Sequence, residues 1–397
     1  MKFRIGLAVS LGAIAAALTP AAHAADIIKL GMSVPMSGDA ANWGKQTKWL
    51  CDRAAQEIKD SGGIKVGTTT YNFECLAYDN KYNAADGSKV AQTLINRDGV
   101  KFVALALGTA PARAFQSLSE RAGVLLMTNA WGRSLKGTQF PLTFTVMNTP
   151  FELFGPLTAY IKEKNPNIKT VVLVNPNDAS GQELEPESQK NWAKNGVKVL
   201  SSDWFERGTT EFQPIVGKLA SLNPDVIDLG GTPPGVAGTI LKELAIVGWK
   251  GIKLNGTGTS AEAILTTGGD AANGTYMGAA VSVDAKVATP AQVKLNADLL
   301  AATGEPVSGT TLGAYDAPFA LKAAIEKAQS IDPKKVASAM PEITFPSFYG
   351  QSAFGGKATY DVAQQELIPV IVTQVQNGKL VELTRVVPEE LAGRLKK

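Results

Sequence analysis

Short apolar strands alternate with amphipathic helices along this chain of 397 residues, and the alternation runs through two separate series. Apolar runs of strand length are followed by segments whose apolar residues recur at helical spacing. The predicted strands are 27–34, 71–78, 102–107 and 124–127 in the first series, and 170–174, 197–200, 226–229 and 252–255 in the second. The predicted helices are 43–59, 84–97, 112–121, 183–195, 212–222 and 236–247.

This alternation predicts an α/β protein with two doubly wound, Rossmann-like lobes. Short apolar strands joined by helices form parallel sheets that helices cover on both faces. Ligands of such sheets bind beyond the carboxyl ends of the strands, so the expected site is the interlobe cleft. A helix at 315–328 is expected to return to the first lobe, and 368–373 and 380–383 to form a hairpin. The polar tail at 387–397 is expected to pack on the second lobe.

The first 24 residues are typical of a secretory signal peptide. Lys2 and Arg4 precede an apolar run at 5–18, and Ala22-His23-Ala24 is a small-x-small cleavage pattern. The run is too short to span a bilayer, and the absence of a cysteine at the cleavage point argues against a lipid anchor. We therefore expect a soluble periplasmic chain that begins near Ala25.

Two cysteines, Cys51 and Cys75, are present in the whole sequence. In an oxidising compartment a disulfide between them is the favoured interpretation, and it would tie the first helix to the second strand. Two buried free thiols are the alternative.

The predicted mature chain lacks the residues that most catalytic and metal sites require. Its one histidine, His23, leaves with the signal peptide, which excludes Ser-His-Asp and Cys-His centres. Cysteines joined in a disulfide leave no zinc ligand set. The sequence has no GxxxxGK loop, and the turn at Gly108 lacks GxGxxG spacing, so no nucleotide cofactor is expected. Hydrolysis by a carboxylate pair stays open, because paired acids leave no compact motif.

The charge balance also restricts the partners. Loss of Lys2 and Arg4 lowers the formal net charge from +3 to +1. A nearly neutral chain offers no electrostatic basis for binding nucleic acid or an anionic membrane surface. We therefore expect a non-enzymatic protein without metal or cofactor, whose ligand is a small molecule.

Several short segments together resemble the periplasmic leucine/isoleucine/valine-binding protein family. They are Ile28-Lys29-Leu30-Gly31, Met36-Ser37-Gly38, Ser61-Gly62-Gly63-Ile64, Tyr78-Asp79-Asn80 and Gly123-Val124-Leu125-Leu126-Met127. Cys51 and Cys75 also fall where that family carries its N-terminal disulfide. The resemblance implies a type I periplasmic binding protein fold, with three crossover segments and a cleft that closes by hinge motion.

The resemblance further implies a domain division and a partner. The lobes would be residues 25–147 plus 279–366, and residues 148–278 plus 367–397. The partner would be the inner-membrane permease of an ABC importer of the branched-chain amino acid type. Docking to a permease requires no self-association, so we expect a monomer.

Family binding positions in the first lobe correspond to four residues here. Trp43 stands at an aromatic position, Thr109 keeps the hydroxyl that binds the ligand carboxylate, and Ala130 keeps a backbone carbonyl. Gly132 has lost the threonine hydroxyl of the family. Trp43 as a partly buried residue at a helix start, and Thr109 as a residue that satisfies its own turn, are the alternatives.

The second lobe departs further from the family. Two aromatic positions become Ser180 and Thr232, and the acid that pairs with the ligand ammonium group becomes Thr257. A buried ammonium group without a carboxylate costs several kcal/mol, so the cleft does not suit a simple α-amino acid unless an acid reaches it from elsewhere. Tyr315 matches the last aromatic position.

Aromatic and cationic residues suggest what replaces the ammonium pair. Trp43, Trp131 and Tyr315 are expected to converge on the cleft, and Arg113 and Arg133 lie in loops that frame the carboxylate site of the family. Arginine binds carboxylate through two hydrogen bonds, and aromatic faces stack on flat apolar ligands. The sequence therefore predicts an aromatic or medium-chain organic acid as the ligand. For each arginine, a solvated surface position is the alternative.

Three other functions stay open at this point. One is an amino acid-binding or amide-binding protein, another is a sugar-binding protein, and the third is an exported sensor domain of the same fold. A sugar site needs several polar side chains for the hydroxyl groups, and the predicted strand-end loops offer few acids.

Overall fold

The computed structural model describes residues 1, 25–284 and 286–396. Most of the predicted signal peptide, residues 2–24, lies outside the described residues. The strands are β1 (Asp26–Val34), β2 (Ile64–Val66), β3 (Thr69–Asp79), β4 (Phe102–Ala106), β5 (Leu125–Thr128), β6 (Thr143–Thr145), β7 (Thr170–Pro176), β8 (Lys198–Phe205), β9 (Val226–Asp228), β10 (Ile252–Asn255), β11 (Tyr276–Met277), β12 (Thr344–Ser347), β13 (Gly350–Gly355), β14 (Gln365–Glu366), β15 (Val370–Gln376) and β16 (Lys379–Val386).

The helices follow the strands in the predicted alternation, with further helices towards the C-terminus. They are α1 (Ala41–Asp60), α2 (Ala84–Gln92), α3 (Thr109–Ala122), α4 (Pro150–Lys164), α5 (Ala179–Lys194), α6 (Gln213–Leu222), α7 (Pro234–Ile246), α8 (Ala261–Gly268), α9 (Pro290–Thr303), α10 (Gly309–Ala328), α11 (Pro333–Ala339), α12 (Lys357–Tyr360) and α13 (Glu389–Leu395).

The strands form two sheets in which parallel pairs predominate. The nine-stranded sheet has the order β12-β13-β14-β6-β5-β4-β1-β3-β2, and the seven-stranded sheet has the order β16-β15-β11-β10-β9-β7-β8. Both orders reverse direction beside the first strand of their series, β1 and β7, which is the pattern of a doubly wound sheet. The predicted fold class is confirmed. We call the nine-stranded sheet with its helices the N-terminal lobe, and the seven-stranded sheet with its helices the C-terminal lobe.

Three segments carry the chain between the lobes. The first runs from β6 to α4, which packs on α5 and β15, and the second runs from β11 to α9, which packs on α1. The third joins β14 to β15. As expected, α10 returns to the N-terminal lobe, where it packs along α1. We propose these three segments as the hinge and as the boundaries of the lobes.

The C-terminal tail packs elsewhere than the sequence predicts. Leu391 of α13 is buried against Ala353 and Leu367, and Glu390 accepts a hydrogen bond from the Gly356 N–H at 2.9 Å. The expectation that the tail packs on the C-terminal lobe is wrong, because the apolar and acidic residues of α13 find their partners along β13 of the N-terminal lobe.

A disulfide joins Cys51 of α1 to Cys75 of β3, as predicted. Both residues are buried in the core of the N-terminal lobe. A cross-link that closes a loop of this length stabilises a fold by about 3 kcal/mol. Within the described part of the chain, no helix is long and apolar enough to cross a membrane. Across the same residues, no three His, Cys, Asp or Glu side chains are grouped to hold a metal ion.

Two acids, Asp316 of α10 and Glu366 of β14, are buried beside the third hinge segment. Asp316 accepts a hydrogen bond from the Phe348 N–H at 2.7 Å, and Glu366 accepts one from the Ser352 hydroxyl at 3.0 Å. The second oxygen of each carboxyl has no hydrogen-bond partner among the described residues. Burial raises the pKa of Asp316 to about 8. Burial and the neighbouring Asp316 raise the pKa of Glu366 well above its usual range.

This acid pair predicts a stability that falls as the pH rises. A carboxyl group whose pKa is raised by folding stabilises the fold fully below the unfolded pKa, and this contribution is lost as the pH rises through about 8. The Asp316→Asn variant keeps an acceptor for the Phe348 N–H but does not titrate. Its Tm is expected to fall less between about pH 5 and pH 8 than that of the wild type.

Thermal melts across this pH range check the prediction. The Asp52→Asn variant is the control, because Asp52 lies on the exposed face of α1 and pairs with Lys48 of the same helix. It should keep the wild-type dependence of Tm on pH. An Asp316→Asn variant with that same dependence would contradict the assignment.

Candidate functional site

Buried asparagines hold strand ends together at the edges where the two lobes face each other. In the N-terminal lobe, Asn80 donates hydrogen bonds to the carbonyls of Ser33 at 2.8 Å and Leu107 at 3.0 Å. In the C-terminal lobe, Asn255 donates to the carbonyl of Thr232 at 2.9 Å. These bonds fix the positions of the loops that leave β1, β4 and β9.

Two helix starts meet between the lobes. Thr109 begins α3 directly after Gly108, whose φ of +94° is a conformation that favours glycine. Asp178 caps α5 and accepts hydrogen bonds from the N–H groups of Ser180 at 3.0 Å and Gly181 at 2.9 Å. The Ser180 hydroxyl donates to the Thr109 hydroxyl at 2.9 Å, and both residues are buried. The structure therefore brings together two predicted site residues from opposite lobes.

Tyr82 lies beside this contact, and sequence reasoning did not single it out. A Cβ atom at Gly108 would lie 3.1 Å from the Tyr82 ring. Trp43 packs on Tyr82 with ring centroids 6.1 Å apart, and the Arg207 guanidinium of the C-terminal lobe lies 4.8 Å from the Tyr82 centroid. Burial raises the pKa of Tyr82, so its phenol stays protonated at neutral pH. The Tyr82 ring thus lies between Trp43 and the Thr109–Ser180 contact.

Trp131 follows β5 and forms the apolar part of the lobe interface. The residue before it, Ala130, donates its N–H to the Thr128 hydroxyl at 3.0 Å, which fixes the loop. A Cβ atom at Gly231 in the C-terminal lobe would lie 3.6 Å from the Trp131 ring. The indole is buried in a small cluster that also contains Met147, Phe154 and Leu184. The Trp131 indole is therefore packed against apolar side chains where the lobes meet.

Gly132 makes room for an acid that sequence reasoning missed. A Cβ atom at Gly132 would lie 2.6 Å from Cγ2 of Thr109 and 2.8 Å from a carboxylate oxygen of Glu183. Glu183 lies on α5 of the C-terminal lobe and accepts hydrogen bonds from the Ser134 N–H at 2.9 Å and the Ser134 hydroxyl at 2.6 Å. Arg113 of α3 pairs with the same carboxylate. The one sequence signal for Glu183 is its spacing of three residues from Ser180, which places both on one helix face.

The two threonines predicted for the C-terminal lobe are buried, and their hydroxyls already donate hydrogen bonds to backbone carbonyls. Thr232 donates to the carbonyl of Val174 at 3.2 Å, and Thr257 donates to the carbonyl of Gly230 at 2.8 Å. The position that the resemblance aligns with an acid therefore carries a neutral side chain, whose hydroxyl is bonded to the carbonyl of Gly230.

Three other predicted residues are not directed at the Thr109–Ser180 contact. The Tyr315 hydroxyl donates to a carboxylate oxygen of Glu57 at 2.7 Å, between α1 and α10. The Arg133 guanidinium lies over the rings of Phe151 at 5.7 Å and Tyr360 at 5.6 Å. The Arg113 side chain is about half exposed and is paired with Glu183. Neither arginine is thus directed at the Thr109–Ser180 contact.

Asn129 and Thr310 are further buried residues at this edge that the sequence did not reveal. The Asn129 amide donates to the carbonyl of Thr310, in the first turn of α10. Oδ1 of Asn129 and Oγ1 of Thr310 have no hydrogen-bond partner among the described residues. They leave an acceptor and a hydroxyl next to Ala130 and Trp131.

Two doubly wound lobes, with a neutral polar group and an apolar wall enclosed between their strand ends, define a two-lobed ligand-binding protein. A family model for periplasmic binding proteins matches residues 27–379. The chain therefore belongs to the periplasmic binding protein family, as a type I member of the leucine/isoleucine/valine-binding protein group. Its relatives are solute-binding proteins, which are not enzymes.

Three comparisons illustrate the relationship. The leucine-, isoleucine-, valine-, threonine- and alanine-binding protein of Pseudomonas aeruginosa is 25% identical over 336 residues, which cover 84% of this chain and 87% of that protein. A leucine binding protein from Thermotoga maritima has a TM-score of 0.76 at 19% identity, over 92% of this chain and 100% of that one. A solute binding protein from R. palustris, in complex with 4-hydroxybenzoate, has a TM-score of 0.76 at 24% identity, over 94% and 100%.

The lack of space at Gly132 predicts a specific effect of substitution. Gly132→Ala places a methyl group 2.6 Å from Cγ2 of Thr109 and 2.8 Å from a carboxylate oxygen of Glu183, so these side chains must shift, and the expected loss of stability is about 1–3 kcal/mol. Gly231→Ala is the matched control, because its methyl group would meet Leu184 at 3.5 Å and Trp131 at 3.6 Å, which are ordinary contacts. Urea unfolding should show a lower midpoint for Gly132→Ala alone. Equal midpoints for the two variants would contradict the packing.

Proposed function

We propose that this chain is the periplasmic solute-binding component of an ABC importer of the branched-chain amino acid type. Membership of the family supports this role, and the predicted signal peptide supports the periplasmic location. The chain would act as a monomer that closes its lobes on a small molecule and delivers it to an inner-membrane permease.

We propose further that the ligand is an aromatic or aliphatic organic acid rather than an α-amino acid. The observation that carries this proposal is Thr257, a neutral residue whose hydroxyl is bonded to Gly230 at 2.8 Å. An ammonium group enclosed there would have no carboxylate partner, at a cost of several kcal/mol. Leucine and similar ligands would therefore bind weakly.

The carboxylate of such a ligand fits the first turn of α3. Helix N-termini carry partial positive charge and free N–H groups, and both favour an anion. Gly108 provides no side-chain cap there, and Thr109 adds a buried hydroxyl. This assignment replaces a role for Arg113 and Arg133 in binding the carboxylate, because both have partners within the chain.

The rest of the ligand fits the face of Trp131. A flat ring on an indole buries apolar area and gains from the offset stacking of aromatic groups. Asn129 Oδ1 and Thr310 Oγ1, which have no hydrogen-bond partner within the described chain, could accept from and donate to a ligand hydroxyl group. Structural neighbours of this fold include proteins in complex with isoleucine, benzoate and 3,4-dihydroxy benzoic acid. The fold thus accommodates both ligand classes, and the side chains of this chain favour the acids.

An α-amino acid is the second candidate, and Glu183 is the observation that favours it. Its carboxylate reaches the rim of the cleft beside Ser134 and Gly132. Glu183 would have to leave Arg113 in order to pair with an ammonium group. The curated relatives, at 25–28% identity, are named for leucine, isoleucine and valine.

Isothermal titration of the mature chain from Ala25 distinguishes the two candidates. Benzoate, 4-hydroxybenzoate, octanoate and leucine are titrated in turn. We expect at least one acid to bind and leucine to bind at least about 100-fold more weakly, since a cost of ~3 kcal/mol corresponds to that ratio. The Thr109→Val variant should bind the acid more weakly, because the substitution removes the hydroxyl but keeps the shape of the side chain.

Thr158→Val is the matched control for this hydroxyl. Thr158 is buried on α4 and donates to the carbonyl of Phe154 of its own helix. The Thr158→Val substitution should leave the affinity for the acid unchanged. Tight binding of leucine with no response to any of the acids would establish the second candidate instead.

A further inference from the structure

A network of hydrogen bonds around Glu183 links the two lobes at the rim of the cleft. Glu183 belongs to α5 of the C-terminal lobe, and its partners Arg113 and Ser134 belong to the N-terminal lobe. The Ser134 N–H lies 2.9 Å from one carboxylate oxygen, and the Ser134 hydroxyl lies 2.6 Å from the other. Arg113 donates to the Ser134 hydroxyl oxygen at 2.8 Å. Every group in the network thus contacts the other two.

This network can form only when the lobes meet. Interactions that are present in one conformation and absent from another shift the equilibrium towards the first. The side chains of Arg113 and Glu183 keep 48% and 21% of their exposure, so solvent screens the ion pair and its effect is modest. The backbone N–H of Ser134 adds a bond to a charged acceptor, which is stronger than a bond between neutral groups.

The local sequence is adapted to this network. Gly132 is the residue that allows the Glu183 carboxylate to approach, because a Cβ atom there would lie 2.8 Å and 3.0 Å from its two oxygens. The acid occupies the space that a side chain at 132 would take.

We propose that Glu183 is a latch that draws the lobes together and so sets the fraction of closed protein before any ligand binds. The latch is independent of the ligand class, since its partners are all side chains and backbone of the chain itself. A ligand that binds the closed form then binds more tightly, because a larger fraction of the protein is competent.

Hydrogen exchange of the ligand-free protein tests the latch directly. The amide of Ser134 donates to Glu183, so its exchange rate reports opening at this position. In Glu183→Ala, the segment around Ser134 is expected to exchange roughly two- to fivefold faster. Raising the salt to about 0.5 M should accelerate exchange in the wild type and leave the variant unchanged, because salt screens the ion pair.

Two further variants keep the test decisive. Glu183→Gln keeps the size of the side chain and an acceptor for Ser134, so it folds even if Glu183→Ala does not, and it should lose the salt dependence. Glu187→Gln is the matched control one turn further along α5, where the carboxylate contacts Lys190 and Asn191 of its own helix. It should exchange like the wild type.

Two results would overturn the proposal. One is wild-type exchange around Ser134 in both Glu183 variants. The other is equal acceleration in Glu187→Gln. Both are measured without ligand, so a failure of the organic-acid assignment would not affect the outcome.

Discussion

The contact between Thr109 and Ser180 depends on how two helices begin. Each helix follows a buried parallel strand and starts with its first turn facing the opposite lobe. The two hydroxyls meet at 2.9 Å, away from water. Parallel sheets direct the carboxyl ends of their strands to one edge, so two such sheets joined by short hinge segments can enclose a small volume between helix starts. The positions of Trp131, Gly132 and Glu183 all follow from that arrangement.

The enclosed group is polar but uncharged, and this determines what it can hold. Thr109, Ser180, Thr232 and Thr257 are neutral and buried. The acid that reaches the rim, Glu183, is paired with Arg113. Charge selection at such a site therefore depends on the N-terminus of α3 and on backbone groups, which favour an anion over a cation. A ligand with a carboxylate and a flat apolar body satisfies both the helix start and the face of Trp131.

The sequence predicted the alternating framework because buried strands and amphipathic helices leave strong periodic signals. Helix starts were placed too late: residues 112, 183 and 315 were predicted, whereas α3, α5 and α10 begin at Thr109, Ala179 and Gly309. Thr109, Ser180 and Thr310 lie in the turns that were missed. Those turns contain Gly, Ser, Thr and Pro, whose role depends on cap geometry, and periodicity carries no information about it.

Contacts that join distant segments were the other part that the sequence did not reveal. The partners of Glu183, Arg113 and Ser134, lie on the other lobe. The α13 tail packs beside β13 through Leu391 and Glu390. Tyr315 was matched by position in a motif, but its hydroxyl bonds Glu57. A match along the sequence does not specify which turn of a long helix faces the cleft. The disulfide was easier to predict, because an exported chain with two cysteines leaves one possible pair.

A crystal structure of the mature chain grown with 4-bromobenzoate tests the central claim most directly. The anomalous signal of bromine locates the ring without reference to the side chains. We expect one bromine between the lobes against Trp131, with the carboxylate at the first turn of α3. A bromine bound only outside the interface, or an α-amino acid held between Thr257 and Glu183 in its place, would contradict it.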